Sequence, residues 1–373
     1  MKVIDVKAII LSVKLPGPVM DANYIFPSRS CVLIKVSTDE GIVGIGEACC
    51  IGGPPITTKI IVEEELSSYI IGEDPSQVER LWDAMYRRSI QHGRKGAVIA
   101  AISGIDIALW DIRGKICNLP IYKLLGNYSP QVPAYASGGF YAPGKDTSAL
   151  VDEMSRYVAD GFKTVKMKIG RLSVREDMAR VRAVREAIGD EISFIVDANC
   201  KYLPTTAIRV GKELQDYDVL CFEEPISADD IEGYVKVAAA LDMPIAAGES
   251  EFCKYGFRDL IRSGAVDIVQ PDVTWSGGLT ECKKIAAIAE AWNIPCMPHG
   301  FSSAINLVAT MHLVGAIPNG MFVEFDQNYN PLRSELIEEG IKLGKNGLLE
   351  IPSKPGLGIT LNDDTIEKYS VDI

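Results

Sequence analysis

Between Val132 and Glu324 the sequence predicts an α/β fold, a closed (β/α) barrel of the TIM type, preceded by an α+β domain and followed by a segment of different rhythm. Three observations carry this reading. Short β-branched or apolar runs recur at 132–137, 164–169, 194–197, 220–223, 244–247, 266–270, 294–298 and 321–324. Helical periodicity fills the intervals, as in Met178, Val181, Val184 and Ile188. Eight strand candidates in about 195 residues, alternating with helices, suit a ring better than an open sheet.

The elements follow in order. Residues 1–127 read as the α+β capping domain. Runs at 30–36 and 42–46 flank Thr38-Asp39-Glu40-Gly41, a hairpin turn by composition. Residues 102–114 carry Ile102, Ile105, Leu109 and Ile112 on one helical face. Pro16-Gly17-Pro18 and Gly52-Gly53-Pro54-Pro55 read as loops. Residues 128–325 form the barrel. The 326–373 segment contains Pro352-Ser353-Lys354-Pro355-Gly356 and is expected to return to the first domain.

Composition bounds the function. Of 373 residues, 47% are apolar and 24% charged, which indicates a folded, soluble chain with a sizeable core. Fifty acidic side chains against 38 basic give a net charge of −12, which argues against nucleic acid and anionic membrane as partners. An acidic substrate therefore needs a local positive site. The nine cysteines contain no C-x-x-C pair, so neither a zinc cage nor a disulfide framework is expected, and most read as small buried hydrophobes. No secretory h-region follows Met1, and the apolar run from Ala97 to Ile105 is too short to span a bilayer. A cytoplasmic location is expected.

Charged and polar residues recur where the barrel runs stop. One per strand from Lys168 gives Asp197, Glu223, Glu249, Asp272, His299 and Glu324, at intervals of 29, 26, 26, 23, 27 and 25. Each interval is one βα unit, and the carboxyl ends of barrel strands converge on one face. A single charged strand end is an ordinary solvated terminus; seven in succession describe a pocket. Asp197, Glu223 and Glu249 would repel one another and raise each other's pKa unless a cation lay among them. Oxygen-only ligands favour a hard ion, Mg²⁺ first and Mn²⁺ second. Lys166 and Lys168 share one strand face by period two. Mutual repulsion is expected to lower both, leaving one as a base near pH 7 and the other to grip a carboxylate. Asp272, one strand before His299, is placed to orient its ring; His92 and His312 lie in helical stretches and read as packing or surface residues.

The motifs Lys166-x-Lys168, Asp197-x-Asn199, Glu223-Glu224-Pro225, Gly248-Glu249-Ser250, Gln270-Pro271-Asp272 and Pro298-His299-Gly300 resemble the catalytic set of the enolase superfamily, mandelate racemase subgroup, in order and spacing. The helix from Ala101 to Asp111 resembles that family's capping-domain signature. The resemblance implies Mg²⁺ on Asp197, Glu223 and Glu249, and a Lys168 base facing a His299–Asp272 base. It places Lys166 and Glu324 beside the substrate carboxylate and Asn199 near its 2-hydroxyl, with Ser137 as a candidate first-strand contact. It also implies a homo-oligomer.

Such sites abstract the proton α to a carboxylate. The expected reaction is dehydration of a sugar acid, an aldonate or aldarate, to a 2-keto-3-deoxy acid by a hydro-lyase. The alternatives are racemisation or epimerisation of a 2-hydroxy acid and a non-catalytic sugar-acid-binding barrel. A lactonising or dipeptide-epimerising relative would carry a lysine ending the sixth strand, where this chain has Asp272. Capping loops 15–26 and 49–57 are the candidates for specificity, the first polar enough, with Asp21, Asn23 and Tyr24, to suit a polyol.

Overall fold

Alternating burial organises the first sheet. The structure, a computed structural model, describes residues 1–371, so the last two residues of the expected 326–373 segment lie outside the described residues. Strands β1 (Val3–Met20), β2 (Ile25–Thr38) and β3 (Val43–Ala48) form an antiparallel sheet in that order. The hairpin sits where the turn residues place it. Pro16-Gly17-Pro18, expected as a loop, lies inside β1. The strand is an edge, and its register shifts between Lys14 and Val19, so the prolines interrupt no continuous ladder.

Helices α1 (Pro55–Ile60), α2 (Val78–Ser89), α3 (Ala97–Cys117) and α4 (Ile121–Leu125) complete this part of the chain. One apolar face was expected on the central helix, yet α3 is buried on nearly every side. It lies against β3 on one side and a barrel helix on the other. Contact with β3 is so close that a Cβ at Gly44 or Gly46 would stand 2.1 or 2.0 Å from a carbonyl oxygen of Ala108 or Gly104. Glycine is required there by space.

The barrel strands are β4 (Gln131–Ser137), β5 (Thr164–Lys168), β6 (Ser193–Asp197), β7 (Val219–Glu223), β8 (Ile245–Ala247), β9 (Ile268–Val269) and β10 (Val323–Asp326). Between them run α5 (Thr147–Ala159), α6 (Val174–Ile188), α7 (Pro204–Leu214), α8 (Ile231–Ala240), α9 (Cys253–Arg262), α10 (Gly278–Ala291) and α11 (Ala304–Val314). All neighbouring barrel strands are parallel, and β10 returns to pair with β4. The run at 294–298, expected as a full strand, is reduced to Cys296, which bridges Val269 and Gly320. Pro295 and Pro298 bracket it and donate no ladder bonds. Tyr135, Ile195, Cys221, Ala246, Ile268 and Met297 fill the interior as one layer. Two residues further along, period two brings Asp197, Glu223 and His299 to the same inner face.

The remaining elements are α12 (Pro331–Ser334), β11 (Leu348–Glu350), antiparallel to β4, and α13 (Asp363–Tyr369). Beyond α13, Ser370 bridges to Leu11 of β1. Among the described residues no helix is long and apolar enough to cross a membrane.

Polar side chains of α3 lock the two parts together. Asp106 accepts from the Thr280 N–H and hydroxyl at the start of α10 (2.9 and 2.5 Å), and Trp110 donates to Thr280 at 2.8 Å. His92, expected in a helix, lies in an exposed turn beside Glu65, because α2 stops at Ser89. His312 is buried in α11. Its Nδ1 accepts from the Tyr122 N–H at 3.2 Å and its Nε2 donates to the Leu357 carbonyl at 3.0 Å.

Burial holds His312 down to about 4, against the bond to Leu357. The unfolded chain therefore binds this proton at higher pH than the native one. The neutral ring's stabilisation is complete above about 6.5 and is lost as pH falls through the interval to 4, a span worth about 3 kcal/mol. Urea unfolding of the wild type should show that loss between pH 6.5 and 4. His312→Gln, which keeps one acceptor and one donor, should flatten the same limb.

Candidate active site

Five ionisable side chains meet at the carboxyl ends of β5, β6, β7 and β10. Lys166, on β5, is fully buried. Its Nζ lies 2.7 Å from Glu223 Oε1, 2.8 Å from Glu324 Oε1 and 3.8 Å from Asp197 Oδ2. Lys168, two residues on, bonds Asp197 Oδ2. Asp197 Oδ1 accepts from the Asn199 N–H at 2.7 Å, and Asn199 Nδ2 reaches Glu249 at 3.5 Å. Asn199, Cys200 and Glu224 follow strand ends with positive φ (42°, 61° and 38°), an unfavourable backbone that clusters at functional sites.

Neither lysine ends up depressed as expected, because nearby carboxylates outweigh the repulsion between them. Burial pulls Lys166 down, but Glu223 and Glu324 overcome it and hold the ammonium well above its ordinary value. Lys168 is likewise lowered by burial and raised further by Asp197, with Lys166 opposing. Nor do the carboxylates all move together. Burial pushes Glu223 up to about 8 against the pull of Lys166, whereas the two lysines hold Asp197 below its usual value despite burial. Lys166 also holds Glu324 down against burial.

Asp197, Glu223 and Glu249 each present an oxygen within 4.8 Å of the others. Glu223 Oε2 and Glu249 Oε2 find no donor among the described residues. An all-oxygen set with unused lone pairs fits a hard divalent cation.

His299 follows the Cys296 bridge. Its Nδ1 is 2.7 Å from Asp272 Oδ2, and its Nε2 is 3.6 Å from Glu249. Asp272 Oδ1 accepts from the Thr274 N–H and hydroxyl (2.7 Å each) and from Asn306 Nδ2 (2.9 Å). A carboxylate only accepts; Nδ1 therefore carries the hydrogen and Nε2 faces the pocket. Burial lowers the ring, but Glu249 and the bond to Asp272 raise it to about 10.

Two supporting residues, Asn306 and Glu47, escaped sequence reading. Asn306 holds Asp272. Glu47, fully buried on β3, reaches across from the capping sheet to the Ser302 and Ser303 hydroxyls and to the N–H groups of Ser303 and Asn306 (3.2 and 3.0 Å). Glu324 uses its second oxygen on the Gly300 N–H at 3.0 Å. Only the order Gly-x-Gly-Glu on β3 signals Glu47, and that pattern says nothing of its partner.

Above this floor lies a cavity of about 340 Å³, walled by both capping loops. Lys168, Asn199, Glu249, Asp272 and His299 line it; Lys166, Asp197, Glu223 and Glu324 lie below. Ser137 does not line it, and the chain after β4 contributes Phe140 instead. The first capping loop brings Asp21, Asn23 and Tyr24 to the pocket, as expected, and adds an apolar group. Asp21 Oδ1 accepts from the N–H groups of Asn23 and Tyr24 (2.7 Å each), while Phe26 joins Phe140 and Phe301 in the wall.

Removing the Glu47 carboxylate strands four donors in the interface, each costing about 1–3 kcal/mol if water does not reach it. Glu47→Ala should thus lower the unfolding free energy by about 2–4 kcal/mol in urea titration, given partial rehydration. A loss below about 1 kcal/mol would refute this account of the interface.

Residues 149–365 match the family model described as enolase C-terminal domain-like, and residues 4–126 match the mandelate racemase / muconate lactonizing enzyme N-terminal domain. The chain is 39% identical over 338 residues to an arabinonate dehydratase of Saccharolobus solfataricus, covering 91% of this chain and 90% of that one. It is 36% identical over 379 residues to a D-galactarolactone cycloisomerase of Agrobacterium fabrum, covering 99% of each. A racemase from Streptomyces coelicolor A3(2), solved with bound magnesium, superposes with a TM-score of 0.92 at 30% identity, covering 99% of this chain and 100% of that one. With both domains matched and the strand-end residues gathered around one cavity, the chain belongs to the enolase superfamily, with a capping domain of the mandelate racemase / muconate lactonizing enzyme type.

Proposed function

We propose that this enzyme is a hydro-lyase that removes water from a sugar acid, an aldonate or aldarate, to give a 2-keto-3-deoxy acid. The observation that carries this reading is the meeting of Lys168 and the Asp272-oriented His299 over the carboxylates of Asp197, Glu223 and Glu249. The dehydratase named among the relatives supports it.

The roles follow from position. Asp197, Glu223 and Glu249 would hold Mg²⁺, or Mn²⁺ in its place. The ion supplies positive charge where the substrate carboxylate gathers electrons, and it offsets the acidic pull that keeps Lys168 protonated. Lys168 and His299 come from strand positions three places apart around the ring, so they reach the substrate from different sides. One takes the proton α to the carboxylate. His299, as imidazolium, gives its Nε2 proton to the departing C3 hydroxyl, and water leaves. The resulting enol gains a proton at C3 and loses the one on its 2-hydroxyl to become the 2-keto acid, so the balance is sugar acid to keto acid plus water. Asn199, at the pocket surface, is placed for the 2-hydroxyl. Lys166 sets the positive charge of the floor, and Glu324 positions both Lys166 and the loop after His299.

Opposed bases also suit proton return to the other face of the α-carbon, which would make the enzyme a racemase or epimerase of a 2-hydroxy acid. The named racemase and cycloisomerase favour keeping that second reading.

Incubating the enzyme and Mg²⁺ with a panel of aldonates and aldarates should yield 2-keto acid from at least one. Lys168→Ala and His299→Asn should each lower kcat/KM about 10²–10⁴-fold. Chelation should abolish turnover, and readdition of Mg²⁺ should restore it. Exchange of the α-hydrogen with heavy water and no keto product would replace dehydration by the racemase reading. In Glu249→Gln the rise in Tm produced by Mg²⁺ should shrink, since binding stabilises by mass action.

A further inference from the structure

A second cavity, of about 260 Å³, borders the first and shares Tyr24, Phe26, Ile51, Gly52 and Phe301 as walls. Its far side is polar. Arg29 lines it and is only 4% exposed. Arg29 Nη2 pairs with Asp326 at 3.0 Å, whereas Nε and Nη1 find no acceptor among the described residues. The Phe301 ring covers one face of the guanidinium, 3.5 Å from Cζ to the centroid. Asn330, also in the lining and 2% exposed, gives its Nδ2 to the Ser302 carbonyl at 2.8 Å, and its Oδ1 finds no donor among the described residues.

Buried polar groups are normally paired, and a guanidinium offers five donors. Free donors on a cation and a free amide acceptor in the lining of one cavity match a carboxylate with a hydroxyl on the adjacent carbon. Position agrees with this. Asp326 lies two residues beyond Glu324 on β10, and Phe301 two beyond His299, so Arg29 sits one layer outward from the reacting groups. Phe26 and Phe301, in edge contact with centroids 5.4 Å apart, are among the residues common to both cavities.

We infer that this second cavity is a subsite for the far hydroxy-carboxylate end of the substrate, so that the preferred sugar acid is a diacid, an aldarate. The inference rests on the sugar-acid reading of the main pocket and narrows its substrate class. Arg29 and Asn330 take the distal end while the first carboxylate lies over the floor.

The test compares an aldarate with the aldonate of the same length and configuration, by kcat/KM and by calorimetric binding to the Mg²⁺-loaded enzyme. Arg29→Met is paired with Asp326→Asn so that no buried charge is stranded. As a second variant, Gly53→Leu fills the cavity mouth at a residue whose Cβ would meet nothing within 4 Å. Wild type should favour the aldarate at least about 10-fold, the scale of one charge-assisted contact. Both variants should erase that preference by raising KM for the aldarate, with the aldonate changed less than about 3-fold. Equal efficiency on both acids in the wild type would overturn the subsite, as would variants that slow both acids alike or that leave the preference intact. Tight, variant-sensitive binding of the aldarate without keto acid formation would refute dehydration and keep the subsite. Binding of neither acid would refute both.

Discussion

Everything at the mouth of the barrel depends on a buried ammonium. Lys166 has no exposed surface, yet it stands within 2.8 Å of Glu223 and Glu324 and 3.8 Å from Asp197. Without it, those carboxylates would face one another in a region where an unpaired ion costs on the order of several kcal/mol. With it, each strand end is pinned to its neighbours by charge as well as by the ladder. Among the groups that touch the cavity, Lys168, Glu249 and His299 stand above this layer.

The second organising fact is that the capping sheet is part of that foundation. Glu47 on β3 holds the start of α11, Asn306 in α11 holds Asp272, and Asp272 holds His299. Asp106 does the corresponding work at the start of α10. The capping domain therefore contributes twice: its loops wall the cavity, and its buried carboxylates fix helices of the barrel.

Much of this was legible in the sequence, for a specific reason. A βα unit has a nearly constant length, so intervals of 23 to 29 residues between charged strand ends translate directly into a shared face. Asp197, Glu223, Glu249, Asp272 and His299 were found in that way. What escaped depends on segments far apart in sequence. Glu47 meets Ser303 across 256 positions, and Arg29 meets Asp326 across 297. No local period encodes such a pair. The directions of the lysine shifts escaped too, because a Lys-x-Lys spacing displays the neighbouring cation and hides the carboxylates of other strands. Pro16-Gly17-Pro18 misled because composition signals a turn wherever it occurs, while an irregular edge strand tolerates the same residues.

The bridge between Ser370 and Leu11 means that the first sheet is not completed by its neighbours in sequence alone. β1 takes this partner from the segment that follows the barrel, and Asp111 on α3 accepts from the Leu357 N–H of the same segment at 2.8 Å. The capping part is therefore discontinuous in sequence, with the whole barrel inserted between its two pieces.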